Sequence, residues 1–156
     1  MSTPSASSLP LPASSLSVPE TAFLVVHRND RTAAFFDAAA NDIFLAQRCT
    51  VCAHWTGPAP HACVACRSEL LEWAPVGGDA TVISWTVVHG RPGSATAPAV
   101  VVMGELAEGP WLNLRLVGST ADQLGRSTPL RIAFLHPDEG ESIPVFHLRS
   151  ERTTQA

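Results

Sequence analysis

The sequence predicts a mainly β protein: one N-terminal helix, a compact four-cysteine segment, then a five-stranded closed barrel. Three observations predict it. One Ala-rich amphipathic run spans about residues 31–42. All four cysteines fall between residues 49 and 66. From about residue 80 to 148, five short runs of β-branched, aromatic and aliphatic residues are separated by turn-forming clusters.

Composition bounds the chemistry before any motif is considered. The 156 residues amount to about one domain. All 10 basic residues are Arg, and there is no Lys. Without Lys, no lysine Schiff base can form, and no phosphate-binding P-loop is possible. The net charge of −4 argues against a nucleic-acid binder, which normally presents a basic face. No apolar run approaches the roughly 18 residues that a membrane span needs. The N-terminus lacks the basic start and apolar stretch of a secretory signal. A cytoplasmic protein with reduced thiols is therefore expected.

Residues 1–20 are rich in Ser and Pro, bury little apolar surface, and are expected to be a disordered tail. Phe23–Val26 reads as a short strand or as a docking segment. An N-terminal segment over 21–44 then carries the helix, with Asp30 as the expected N-cap. Phe36, Ala40 and Ile43 share one helical face, with Phe35 and Ala39 beside them. Phe35 and Phe36 either pack this helix onto the body or contribute to an acyl pocket or subunit interface.

Residues 45–70 form the cysteine segment, and 71–148 the barrel. Its expected strands are 80–89, with Ile83, Trp85 and Val87 on one face, then 99–106, 111–117, 130–136 and 143–148. A short extended piece, 69–74, precedes them. In 111–117, Leu112, Leu114 and Leu116 point inward, while Trp111, Asn113 and Arg115 point outward. Residues 118–128 break the pattern, and a helical turn capped by Ser119 fits there. Five strands with an insert between the third and fourth match a Greek-key barrel of the OB type. The stretch 149–156 is expected to fray.

The cysteines follow a C-x2-C, x10, C-x2-C pattern: Cys49, Cys52, Cys63 and Cys66. Each pair points two sulfurs at one spot, and two facing pairs form a tetrahedral cage. Such a cage suits Zn²⁺ or a single iron. A structural Zn²⁺ on four thiolates is expected, since a full thiolate shell leaves no open coordination position. Disulfides are disfavoured by the expected compartment. His54 and His61 are expected at the surface or behind the ligands, and Arg67 near the anionic cluster.

These residues carry a resemblance. FFDAAANDIFLAQRCTVC, CVAC, LEWAPVGGDATVISWTVVH and IPVF resemble the DUF35 family over about residues 30–148. The resemblance implies a helical N-terminal segment, a rubredoxin-like zinc ribbon and an OB-fold. It implies that Cys49, Cys52, Cys63 and Cys66 match the family's metal ligands. It also implies a non-catalytic accessory subunit assembled with a thiolase-like or ketosynthase-fold enzyme, with acyl-CoA at the interface. Members commonly have a Gly closing the helix where this chain has Asn41-Asp42; Asn41 is expected to take the left-handed cap conformation.

Catalytic patterns are otherwise missing from the sequence: there is no G-x-S-x-G and no H-E-x-x-H. With four cysteines on metal, none remains as a thiolase nucleophile, so the chain is expected not to be an enzyme alone. His89 at the barrel rim, and Trp111 and Arg115 on one strand, are candidate ligand or partner contacts. Asp138, Glu139 and Glu141 read as a solvated hairpin tip. Two competing readings are a zinc-ribbon and OB-fold nucleic-acid binder and a rubredoxin-like electron carrier. Acidic charge opposes the first. For the second, iron would colour the protein, and zinc would not.

Overall fold

The structure is a computed structural model and describes residues 25–149. The expected N-terminal tail, Phe23-Leu24 and residues 150–156 lie outside the described residues.

Helix α1 is Ala33–Ala39, shorter than the expected 31–42. Thr32, not Asp30, is the N-cap residue. The reason is a local turn: Asn29 Oδ1 accepts from the Arg31 and Thr32 N–H groups at 3.0 and 3.2 Å, and Thr32 Oγ1 accepts from the Asn29 N–H at 2.9 Å. That turn uses the donors an Asp30 cap would have served. At the other end the left-handed residue is Asp42 (φ 59), not Asn41. Asn41 instead donates its side-chain amide to the Asp37 carbonyl at 2.9 Å.

A three-stranded antiparallel sheet follows. It contains β1 (Leu45–Cys49), β2 (Trp55–Thr56) and β3 (Leu71–Pro75), in the order β2-β1-β3. The extended piece expected over 69–74 is β3, and it pairs with β1 from Leu45↔Pro75 to Cys49↔Leu71. The second sheet comprises β4 (Asp79–Val88), β5 (Ala99–Leu106), β6 (Trp111–Arg115), β7 (Pro129–Leu135) and β8 (Ile143–Leu148). Its order is β6-β5-β4-β7-β8, with antiparallel neighbours throughout. Between β6 and β7 the expected helical turn is a 3₁₀ turn, Ala121–Gln123, capped by Thr120 rather than Ser119. Gln123 Oε1 accepts from the Thr120 N–H at 3.0 Å, which a Ser119 cap would not allow.

The second sheet curls into the half-barrel of an OB-fold. Its edge strands meet at one parallel bridge, Leu116–Phe146, where the Val117 N–H donates to the Phe146 carbonyl at 2.9 Å. No ladder of strand pairs among the described residues closes the seam beyond this bridge. A bulge at Val82/Ser84 divides β4. Before it, Ala80 and Val82 are buried; beyond it, Trp85 is 38% exposed. The bulge adds a residue and shifts the side-chain phase, so Trp85 and Val87, paired with the core residues Val102 and Val100, carry on the face begun by Ala80 and Val82.

One apolar core joins all three parts. Phe35 stacks edge-to-face on Phe36 and on Phe44, with ring centroids 5.2 and 5.3 Å apart. It also meets Trp73 of β3 at 6.2 Å, and Phe44 meets Phe134 of β7 at 6.4 Å. Helix, ribbon and barrel are thereby held by one aromatic chain, each pair adding about 0.5–1.5 kcal/mol beyond area burial. Of the inward leucines, Leu112 on β6 and Leu116 just beyond it are buried, and Leu114 packs against the same core.

Candidate metal centre and ligand pockets

The two cysteine pairs fold into matching knuckles. In the first, the Ala53 N–H donates to the Cys49 carbonyl at 2.9 Å, and the Cys49 N–H to the His54 carbonyl at 2.9 Å. In the second, the Arg67 N–H donates to the Cys63 carbonyl at 2.8 Å, and the Cys63 N–H to the Ser68 carbonyl at 2.8 Å. Ala53 (φ 60) and Arg67 (φ 62) both take the left-handed conformation directly after the second cysteine. That reversal turns each pair of sulfurs to one point. Arg67 serves the cluster through this backbone turn.

The ligand atoms of Cys49, Cys52, Cys63 and Cys66 all lie within 4.8 Å of one another. Cys49 Sγ is 3.6 Å from Cys66 Sγ, and Cys52 Sγ is 3.5 Å from Cys63 Sγ. Zn–S bonds of ~2.3 Å in a tetrahedron place sulfurs about 3.8 Å apart, so the cage fits zinc. Cys49 and Cys63 are buried, while Cys52 and Cys66 face outward. Backbone N–H groups favour the thiolate at the buried positions. Those of Cys52 and Val51 draw the Cys49 thiol down to about 7, and those of Cys66 and Ala65 lower Cys63. Cys52 is pushed up to about 12 and Cys66 is raised: the His54 and Ser68 backbone groups act the other way, but adjacent sulfurs and burial outweigh them. Four thiols this close cannot all ionise against one another, and a bound dication removes that conflict.

The histidines stand outside the sulfur cage. His61 Nε2 lies 2.9 Å from Arg31 Nη1, and His54 lines a groove beside the ribbon.

Two pockets flank the ribbon–barrel junction. The first, about 290 Å³, is lined by Phe35, Phe36, Phe44 and Val26 on one side. Pro58, then Leu112, Asn113 and Leu114 of β6, and Ser142, Ile143 and Pro144 at β8, complete it. It opens where the half-barrel seam parts. The second, about 450 Å³, lies between the ribbon and the β5–β6 turn, with Trp55, Val64, Pro110 and Trp111 in its walls. Trp111 is 61% exposed, and its indole N–H donates to Glu105 Oε1 at 3.1 Å. Val51, Val64 and Leu70 add exposed apolar surface on the ribbon.

The sequence-derived contact residues thus fall in separate places. Phe35 and Phe36 share the first pocket, and Trp111 lines the second. Arg115 lies farther along β6 opposite Val101, and His89 is exposed beyond the end of β4. The sequence reading missed one constellation. His136 Nδ1 lies 2.8 Å from Ser142 Oγ, and His136 Nε2 lies 2.9 Å from Asp42 Oδ1. Asp42 and His136 are 94 positions apart, so no short motif announces the contact.

Comparisons with known proteins match this architecture. The ChsH2 rubredoxin-like zinc ribbon domain matches residues 36–72, and the ChsH2 C-terminal OB-fold domain matches 73–135. A solved structure described as an Ltp2-ChsH2(DUF35) aldolase is 31% identical, with a TM-score of 0.66. The match covers 78% of this chain and 96% of that one. The chain belongs to the DUF35 family. A second DUF35 structure, a protein of unknown function from Sulfolobus solfataricus, shares the fold at 13% identity. Its TM-score is 0.54, over 78% of this chain and 85% of its own. A relative from Thermomonospora curvata, named a probable enoyl-CoA hydratase alpha subunit, is 32% identical over 119 residues. These are 76% of this DUF35 chain but only 37% of that protein. The DUF35 assignment agrees with the fold and with the zinc-binding character of the cysteine cluster. Among the described residues, no helix is long and apolar enough to cross a membrane.

Proposed function

We propose that this chain is an accessory subunit of an acyl-CoA-processing complex, assembled with a thiolase-fold enzyme. The observation that carries the reading is the similarity to the ChsH2(DUF35) part of an Ltp2-ChsH2 aldolase over nearly that whole chain. The relative named as an enoyl-CoA hydratase subunit points to the same substrate class.

In this reading, Cys49, Cys52, Cys63 and Cys66 hold a structural Zn²⁺ that fixes the knuckles. Rigid knuckles then present Val51, Val64 and Leu70, with Trp111 across the groove, as the partner's docking surface. Arg115 and His89 extend that surface along β6 and the exposed β4–β5 loop. Phe35 and Phe36 contribute an apolar wall toward the acyl group. The carbon–carbon bond chemistry resides in the partner, since a zinc-bound thiolate is no thiolase nucleophile. The complex works in the cytoplasm, where thiols stay reduced, and it binds no nucleic acid.

The test is co-expression with a thiolase-like open reading frame encoded beside it. Co-purification, and activity that requires both chains, support the reading. A partner that is fully active and soluble by itself overturns it.

A further inference from the structure

The Asp42, His136 and Ser142 contacts join three parts of the fold beside the first pocket, and Ser142 is the one of the three that lines it. Asp42 closes helix α1, His136 follows β7, and Ser142 precedes β8. Ser142 is 9% exposed and lines the pocket, whose other polar lining residue is Asn113. The supporting turn is fixed on several sides. The Glu141 N–H donates to the Val26 carbonyl at 2.9 Å. Arg28 donates to both Glu141 carboxylate oxygens at 2.6 and 2.7 Å, and it also bonds Asp37. A Cβ at Gly140 would lie 2.8 Å from the Val26 carbonyl oxygen, so this close approach requires glycine.

Hydrogen-bond chemistry orients the relay. A carboxylate only accepts, so the His136 Nε2–H donates to Asp42, and Nδ1 is left to accept from the Ser142 hydroxyl. A serine hydroxyl within hydrogen-bond reach of an imidazole that a carboxylate holds, beside an apolar cavity, has the arrangement of a base-activated nucleophile.

We propose that Ser142, His136 and Asp42 form an acyl-transfer site for short neutral acyl thioesters, with the pocket taking the acyl chain. This activity is separate from the partner's carbon–carbon chemistry and does not rest on that reading. Ser142 Oγ attacks the thioester carbonyl carbon as His136 Nδ1 takes the hydroxyl proton. The tetrahedral oxyanion then collapses, the C–S bond breaks, and the thiolate leaves with the proton from Nδ1. Water adds to the acyl-serine by the same route, giving the carboxylic acid and restoring Ser142. The net reaction is thioester plus water to acid plus thiol. Ser142 and His136 are the catalytic residues; Asp42 is a positioning residue that fixes the tautomer. At about 290 Å³ the cavity fits a short chain, and among the described residues no cationic side chain lines it to hold a phosphate.

The zinc-loaded full chain is treated with a fluorophosphonate, which modifies base-activated serines, and the adduct is mapped by mass spectrometry. Butyryl-CoA and hexanoyl-CoA hydrolysis is followed in parallel by chromatography. The expected result is labelling at Ser142 and acid release, both abolished in Ser142→Ala and slowed at least about 100-fold in His136→Gln. Asp42→Asn is expected to slow labelling while leaving the site of modification unchanged. An unmodified Ser142 in the parent overturns the proposal, whatever the variants do to stability. So does labelling that is as fast in a folded His136→Gln chain as in the parent. Either result leaves the three residues as a latch between helix and hairpin.

Discussion

Gly104 lies at the centre of β5, paired with Val82 on one side and Leu112 on the other. A Cβ there would stand 2.7 and 2.9 Å from two ring carbons of Phe146 and 3.3 Å from Leu130 Cδ1. Carbon atoms pack at about 3.5–4.0 Å, so the ring would have to retreat by roughly 1 Å. Phe146 and Leu130 are both 0% exposed, and neither has room to move. Overpacking of this kind costs about 1–3 kcal/mol. Rigid neighbours place Gly104→Ala at the upper end, and the lost backbone freedom of the unfolded glycine returns about 0.4–1 kcal/mol. The net expectation is about 2 kcal/mol of destabilisation, a fall in Tm of roughly 4–8 °C for a chain of this size. Urea unfolding followed by tryptophan fluorescence in saturating zinc measures it. Gly77→Ala, whose Cβ would meet only Glu108 Oε1 at 3.6 Å, is the near-neutral control. Phe146→Leu, which shortens the obstructing ring, is expected to offset part of the loss in the double variant. A Gly104→Ala chain within about 0.5 kcal/mol of the parent would refute the packing argument.

Three further outcomes are expected. Cys63→Ser removes a buried ligand, so the chain releases zinc, the ribbon unfolds and partner binding is lost; stoichiometric zinc by elemental analysis would contradict the ligand assignment. Glu141→Gln tests the Arg28 clamp, because the Arg28 guanidinium holds the Glu141 carboxyl below the usual carboxylate range. A lowered folded pKa stabilises the fold above the unfolded value near pH ~4.3, and the effect fades as pH falls through the folded value. The variant is therefore less stable than the parent at pH 7, and the gap closes in acid; a pH-independent gap in urea titrations would speak against the clamp. Trp111→Ala removes an exposed indole, so binding to the partner weakens by about tenfold or more while the midpoint of unfolding stays close to the parent's. Unchanged co-purification would move the interface elsewhere.

The chain's local chemistry determined a great deal on its own. Cysteine spacing alone announced the metal cage, because a C-x2-C turn brings its sulfurs together without distant help. Alternation along Trp111–Val117 similarly marked the buried Leu112 and Leu116, since a strand's two faces are written in its residue order. The boundaries of α1 were less legible: Asp30 is a competent cap, but hydrogen bonding within the Asn29–Thr32 turn moved the cap to Thr32. What no sequence period records is where separate elements come to rest. A bulge in β4 brought Trp85 onto the face of Ala80 and Val82, the curl of the second sheet set Phe146 over Gly104, and the meeting of a helix end with a hairpin put Asp42 against His136. Those placements depend on packing between residues remote in the chain, so only the folded arrangement decides them.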